Sequence, residues 1–232
     1  MKRPGFFSLI KTALQRGLVA RSALETNLFP PLALPIVFRP YRNEDYDVCL
    51  AIYRKNEPVR FPPGHVATFE RFLKDEKKTC IVAELDSTVV AFGGLTLYAP
   101  DLAVLYYGLV SPEFQGLRIG STLTLLRIAQ MGPHPADTFI LIFAVEPSMP
   151  FYRRFGFALA GTWKAENGKD YPIGLLRVTY HEMQRLKVAL EQRGIRVRGD
   201  LVLHPSSDMT GEVVYGPNGP QFMFQRRDAP TE

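Results

Sequence analysis

The chain has 232 residues, 46% of them hydrophobic, enough to bury a substantial core in one domain with extensions or in two small domains. No apolar run approaches the roughly 20 residues that span a bilayer as a helix. The formal net charge is +5, but residues 1–35 set five basic side chains against Glu25 alone and carry +4 of it. The remainder is almost neutral, so the basic stripe of a nucleic-acid binder is not expected.

Cys49 and Cys80 have no CxxC spacing, and His65, His134, His181 and His204 are scattered. Neither a disulfide framework nor a metal site is suggested, and a reducing, cytoplasmic compartment fits. In residues 1–25, Phe6, Leu9, Ile10, Ala13, Leu14 and Leu18 recur at helical spacing with basic residues between them. That is a basic amphipathic helix with three readings: packed on the body, laid on a membrane or a partner, or a targeting presequence. "TNLFPPLALP" follows as a proline-rich linker ending at residue 35.

From Ile36 strands alternate with helices. "IVFRPYR" reads as a strand, and Asn43 is placed to cap a helix with Val48, Ala51 and Ile52 on one face. The prolines and glycine of "RFPPGH" interrupt the chain before a second, charged helix that runs to about Lys78. "TCIVAEL" and "TVVAFGGLTLYA", separated only by Asp86 and Ser87, form a hairpin, and "LAVLYYGLV" is the next strand. After Gly116 a helix with a broad apolar face runs to about Met131. "TFILIFAV" is a central strand covered on both faces. A short helix in "MPFYRRFGF" and two strands, near "ALAGTW" and "PIGLLRVTY", close the unit. Beyond Tyr180, Thr179 and Glu182 make a capping box for a helix ending at Gly194. "IRVRGDLVL" and "GEVVYGPNGPQFMFQ" read as strands, and this tail has too few apolar residues to stand apart from the main body.

Several motifs fail. "HEMQR" has Arg185 where a zinc protease needs its second histidine, and neither GxxxxGK[ST], GxGxxG nor GxSxG occurs. One stretch retains chemistry. In "VSPEFQGLRIGSTL" a strand end, a polar turn and a helix start follow one another. The first amides of a helix lack intrahelical partners and face the positive end of the dipole, which suits a phosphate. Gly116 and Gly120 remove side chains that would hold an anion off, and Ser121 offers a hydroxyl. A plain strand-to-helix connection uses the same residues.

The element order β-α-α-β-β-β-α-β-α-β-β, with that stretch after the fourth strand and "MPFYRRFGF" after the fifth, resembles the GNAT superfamily of acetyl-CoA-dependent N-acyltransferases over about residues 36–180. The turn is similar to the family's [QR]-x-x-G-x-[GA] motif, with Arg118 in place of the middle glycine. The resemblance implies an α/β (α+β) fold with a mixed, mostly antiparallel sheet and helices on both faces, flanked by the segment 1–35 and by a C-terminal helix and hairpin over 181–232. It implies acetyl transfer from acetyl-CoA to a primary amine in a ternary complex, without metal. Backbone near Leu109 and Val110 would hold the pantetheine arm, and Gln115, Gly116, Leu117, Arg118, Ile119, Gly120 and Ser121 the pyrophosphate. Tyr152 stands where many members keep a general acid.

Many relatives carry a glutamate on the fourth strand, and "LAVLYYGLV" has no acid. Glu146 is then the nearest alternative base by sequence, with a water chain as the other route. The acceptor site is expected between Arg54 and His65 and around Trp163 to Tyr171, with Arg60, Phe61, Tyr106 and Tyr107 as lining. A small-molecule amine, a peptide terminus and a lysine side chain all fit. A catalytically weak acyl-CoA-binding or interaction module is the alternative function.

Overall fold

The computed structural model describes residue 24 and residues 32–226, apart from 62–63, 76–77, 133, 165–169, 207–208 and 217–218. The expected N-terminal helix lies outside the described residues. Leu24 alone is described there, and it is buried in the main core.

Seven strands form one sheet: β1 (Val37–Pro40), β2 (Thr79–Leu85), β3 (Thr88–Ala99), β4 (Leu102–Val110), β5 (Thr138–Phe143), β6 (Ala158–Lys164) and β7 (Asp170–Val178). Their order is β1-β2-β3-β4-β5-β7-β6. Only β4 and β5 pair in parallel; every other neighbouring pair in this sheet is antiparallel. The β2–β3 hairpin turns on Asp86 and Ser87, both at positive φ (47° and 64°), as a tight two-residue hairpin requires. Period-two alternation then sorts the apolar residues. Cys80 and Val82 face one core with Tyr53 and Phe69, whereas Ile81 and Ala83 face another with Leu126 and Ile128. β5 is buried almost throughout, as its unbroken apolar run predicts.

Helices α1 (Tyr46–Arg60) and α2 (Val66–Leu73) cover the first face, and α3 (Ile119–Gln130) and α5 (Tyr180–Gln192) the second; α4 (Met149–Arg153) is a short turn after β5. Asn43 does not cap α1. Residues Asn43–Asp45 instead make a 3-10 turn, because the Asp45 carboxylate is drawn inward: it accepts a forked pair from Arg39 at 2.7 and 2.9 Å and the Arg42 amide at 2.8 Å. The buried stripe of α1 is Cys49, Ile52, Tyr53 and Asn56, and Ala51 is exposed. Helix α2 stops at Leu73 rather than Lys78, since Lys74 and Asp75 offer nothing to bury after Phe69 and Leu73.

The Thr179–Glu182 capping box is present, and Met183, Leu186 and Leu190 of α5 join the core that α3 covers. "IRVRGDLVL" is not a strand. It is a strap bonded at isolated points: Val197 bridges Phe38, and the Thr79 hydroxyl donates to the Val202 carbonyl and accepts the His204 amide, both at 2.9 Å. Gly199 at φ 95° turns the chain out of extended geometry midway. The final hairpin, β8 (Met209–Gly216) with β9 (Gly219–Arg226), forms as expected, and Val213 packs against the core beneath β4 and β5.

Arg39 also donates to Glu84 at 2.7 Å and so ties β1, β2 and the turn before α1 together. Burial favours the neutral Asp45 acid, but the Arg39 hydrogen bonds, the Arg42 amide and the charges of both arginines together outweigh it and hold the carboxyl below its ordinary value. Asp45→Ala leaves the partly buried Arg39 with Glu84 alone and should cost about 2 kcal/mol in urea unfolding. Because the folded pKa is depressed, the wild-type contribution is present above about pH 4 and lost as pH falls below it; the gap between wild type and variant should close over that range.

Candidate active site

The site begins where the parallel pair comes apart. β4 and β5 are paired only from Leu102–Leu105 to Phe139–Ile142, although β4 runs on to Val110. On its other edge the β3–β4 register slips between Phe92 and Gly94, and Tyr107 takes a left-handed φ of 46°. This is a bulge in β4, which bends the strand away from β5. A cleft of about 1080 Å³ opens between them, lined by both diverging strand ends, the start of α3, α4 and the segment from Phe61 to Arg71.

Leu109, Val110, Gln115, Gly116, Arg118, Ile119, Gly120 and Ser121 all line it. Leu117 does not; it packs against the main core. Gly116, at φ 79°, has open space where a Cβ would stand, as an anion cradle requires. Gly120 has a different reason: a Cβ there would lie 3.1 Å from Val110 Cγ2, so this glycine lets α3 approach β4. Arg118 is the N-cap of α3 at φ 67°, a backbone well that glycine occupies without strain. Its side chain lines the cleft. Asn56, unnoticed in the sequence, anchors the turn. Its amide donates to the Ile52 and Val110 carbonyls, and Gln115 donates to both Asn56 and the Val110 carbonyl at 3.1 Å. The Val110 carbonyl, expected as a cofactor contact, thus already accepts two internal bonds.

Beneath the bulge lies Arg127, which is 1% exposed. Its Nη1 donates to the carbonyls of Gly94 (3.2 Å) and Tyr106 (3.0 Å), and its Nη2 to the Thr124 hydroxyl (3.3 Å). None of the ion pairs among the described residues involves it. Burial lowers its pKa, and the Tyr152 phenol acts against that shift. Two glycines make the room. A Cβ at Gly93 would lie 2.8 Å from Arg127 Nε; one at Gly108 would lie 3.2 Å from its Nη2 and 3.1 Å from the Tyr152 hydroxyl. The signals were readable: a lone charge four residues after Leu123 on an apolar helix, and a Gly-Gly pair inside a strand.

Tyr152 lines the cleft, its ring set edge-on against Phe151 and Phe157 at 5.0 and 5.6 Å. Glu146 is exposed in a 3-10 turn and is not among the lining residues. No Asp or Glu side chain lines the cleft among the described residues; its charged lining is Arg71, Arg118, Arg127 and Arg154. Glu113, beside the turn, is held by Lys55 and the Ser111 hydroxyl, which draw its pKa down to about 2. Of the residues expected to line an acceptor site, Phe61, Tyr106, Tyr107, Trp163 and Tyr171 all line this cleft, with the Trp163 and Tyr171 rings 5.7 Å apart. The Arg60 side chain lies outside the described residues. Aromatic faces attract a cation by about 0.5–2 kcal/mol, but a fixed charge about 6 Å away repels one by about 3 kcal/mol at an effective dielectric of about 20. The floor of the cleft disfavours positive charge.

Among the described residues no group of His, Cys, Asp or Glu is placed to hold a metal, and no helix is long and apolar enough to cross a membrane. The sequence model described as the acetyltransferase (GNAT) family matches residues 46–157. No curated protein sequence matches the chain significantly. Among solved structures, a GNAT-family putative acetyltransferase from Desulfovibrio desulfuricans aligns at TM-score 0.52 with 19% identity, over 62% of this chain and 99% of that one. Ard1 from Thermoplasma volcanium aligns at 0.51 with 13% identity over 62% and 99%, and an aminoglycoside 6'-N-acetyltransferase complexed with coenzyme A at 0.50 with 14% over 62% and 97%. These likenesses concern the fold. The family match concerns residues 46–157, the part of the chain that holds the dividing sheet, the anion-ready helix start and Tyr152.

Proposed function

We propose that the chain transfers acetyl directly from acetyl-CoA to a primary amine while both occupy the cleft. The observation that carries this is the continuity of one cleft from the amides of α3, past the unpaired edge of β4, to the Tyr152 hydroxyl. When bound, acetyl-CoA supplies a thioester whose carbonyl an amine can attack and whose sulfur departs with the bonding electrons. The chain's residues do the rest.

The free amides of Ile119, Gly120 and Ser121, with the turn from Gln115, receive the pyrophosphate, and Arg118 adds a charge-assisted bond to it. Backbone between Tyr106 and Leu109 pairs with the pantetheine arm, the Val110 carbonyl being already taken. Tyr152 gives its proton to the departing sulfur: a thiolate of pKa about 8.5 in water becomes more basic when desolvated and approaches a phenol of about 10. Glu146, exposed and off the cleft, is left out of this scheme. The surplus amine proton goes to water.

A second reading, a weak acyl-CoA-binding module, is favoured by the lack of a lining carboxylate among the described residues. Calorimetric titration with acetyl-CoA, followed by thiol release across an amine panel, separates the two: binding with turnover supports the transferase, binding without turnover the module, and no binding overturns both. Tyr152→Phe should reduce kcat about 100-fold or more while leaving acetyl-CoA affinity within about twofold; unchanged turnover would remove the acid role. Arg118→Gly should weaken acetyl-CoA about tenfold through the lost phosphate contact and yet raise the thermal midpoint of the free protein, because glycine relieves a left-handed backbone.

A further inference from the structure

Arg127 is the residue that the transfer scheme leaves without a task. It is a full charge, 1% exposed, donating to two β4-flanking carbonyls and a threonine hydroxyl, with no ion pair among the described residues. The titratable groups that act on it are the Tyr152 phenol and the Cys80 thiol, and burial keeps that thiol neutral at ordinary pH. Among the described residues no carboxylate lines the cleft or pairs with it to cancel its charge, and the guanidinium stays protonated at any physiological pH. Its Nη2 and the Tyr152 hydroxyl converge on Gly108, within the bulge.

Resting on the transferase reading, we propose that Arg127 makes the site select acceptors that arrive as neutral, weakly basic primary amines, and reject lysine-like ammonium groups. An amine reacting beside Tyr152 stands near this fixed charge. Two unit charges about 6 Å apart in a medium of effective dielectric about 20 disfavour the protonated form by about a hundredfold. A lysine amine of pKa about 10.4 is neutral about once in 2,500 molecules at pH 7, and the cleft offers it no lining carboxylate among the described residues to remove the proton. An α-amine of pKa about 8 is neutral about once in ten, and an aromatic amine almost always. The bond balance is simple. The amine nitrogen forms the C–N bond, the C–S bond breaks with its pair on sulfur, Tyr152 protonates the sulfur, and water takes the amine's extra proton and restores the phenol.

The test uses the full chain with a panel of three acceptors: a peptide with a free α-amine and blocked lysine, the same peptide with a blocked α-amine and free lysine, and a small aromatic amine. In profiles of kcat/KM against pH, the rising limb should follow each acceptor's own pKa, and at pH 7 the lysine peptide should be at least 100-fold poorer than the α-amine peptide. The better of the two weak amines identifies the source. A limb at one pH common to all acceptors, or a lysine peptide as good as the α-amine peptide, would overturn the selection while leaving the transferase intact; transfer to none would remove the transferase reading with it. A binding readout isolates Arg127. With coenzyme A bound, calorimetry compares a trimethylammonium ligand with its tert-butyl isostere in wild type, Arg127→Lys and Arg127→Met, using variants that still bind coenzyme A. Preference for the neutral isostere should persist in the lysine variant and fall at least tenfold in the methionine variant. Equal preference in all three would refute the electrostatic role.

Discussion

A sheet of seven strands has one place where its pairing changes from antiparallel to parallel, and that place is held by a buried cation. Arg127 donates to Gly94 on β3 and to Tyr106 on β4, the register pair that borders the slip between these strands. A bulge leaves backbone carbonyls unmatched in the ladder, and a buried carbonyl without a donor costs about 1–3 kcal/mol. The guanidinium supplies those donors. The bulge then persists, β4 bends from β5, and the cleft follows. Gly93 and Gly108 belong to the same arrangement, since a side chain at Gly93 would collide with Arg127 and one at Gly108 would crowd it and the Tyr152 hydroxyl.

The second consequence is electrostatic. The same charge that stabilises the bulge reaches the cleft floor, and Arg71, Arg118 and Arg154 line the walls. Such a cleft suits an anionic donor with phosphates at the start of α3. It suits an ammonium poorly. Structure and selectivity here trace to the same side chains, in that the cation needed to divide the sheet also sets which protonation state of the acceptor is welcome.

Much of the fold was legible because the chain obeys simple periods. The Asp86-Ser87 hairpin, the covered strand β5, α3 and the Thr179 capping box follow from alternation, apolar runs and local side-chain chemistry. Where expectation failed, a tertiary contact had overruled a local signal. Asn43 looks like a cap, but the long-range fork from Arg39 draws Asp45 inward and makes a 3-10 turn instead. The strap after α5 has strand-like residues, yet Gly199 turns it and it meets the sheet at isolated points, by bridges at Val197 and Pro205 and through the Thr79 hydroxyl. At the site, the phosphate turn was readable from its glycines and helix start. Asn56, Arg127 and the true reason for Gly120 were not read, because each acts on a residue distant in sequence, and Glu146 was favoured by sequence nearness to a cleft that it does not line.

The central claim is that the donor occupies the gap between β4 and β5 and uses the unpaired edge of β4 as its partner. Amide hydrogen exchange with and without acetyl-CoA addresses it residue by residue. The account predicts added protection confined to 106–110 and 115–121, the strand end that leaves β5 and the turn into α3. Unchanged exchange over 106–110 at saturating acetyl-CoA, or protection centred on another part of the chain, would contradict it.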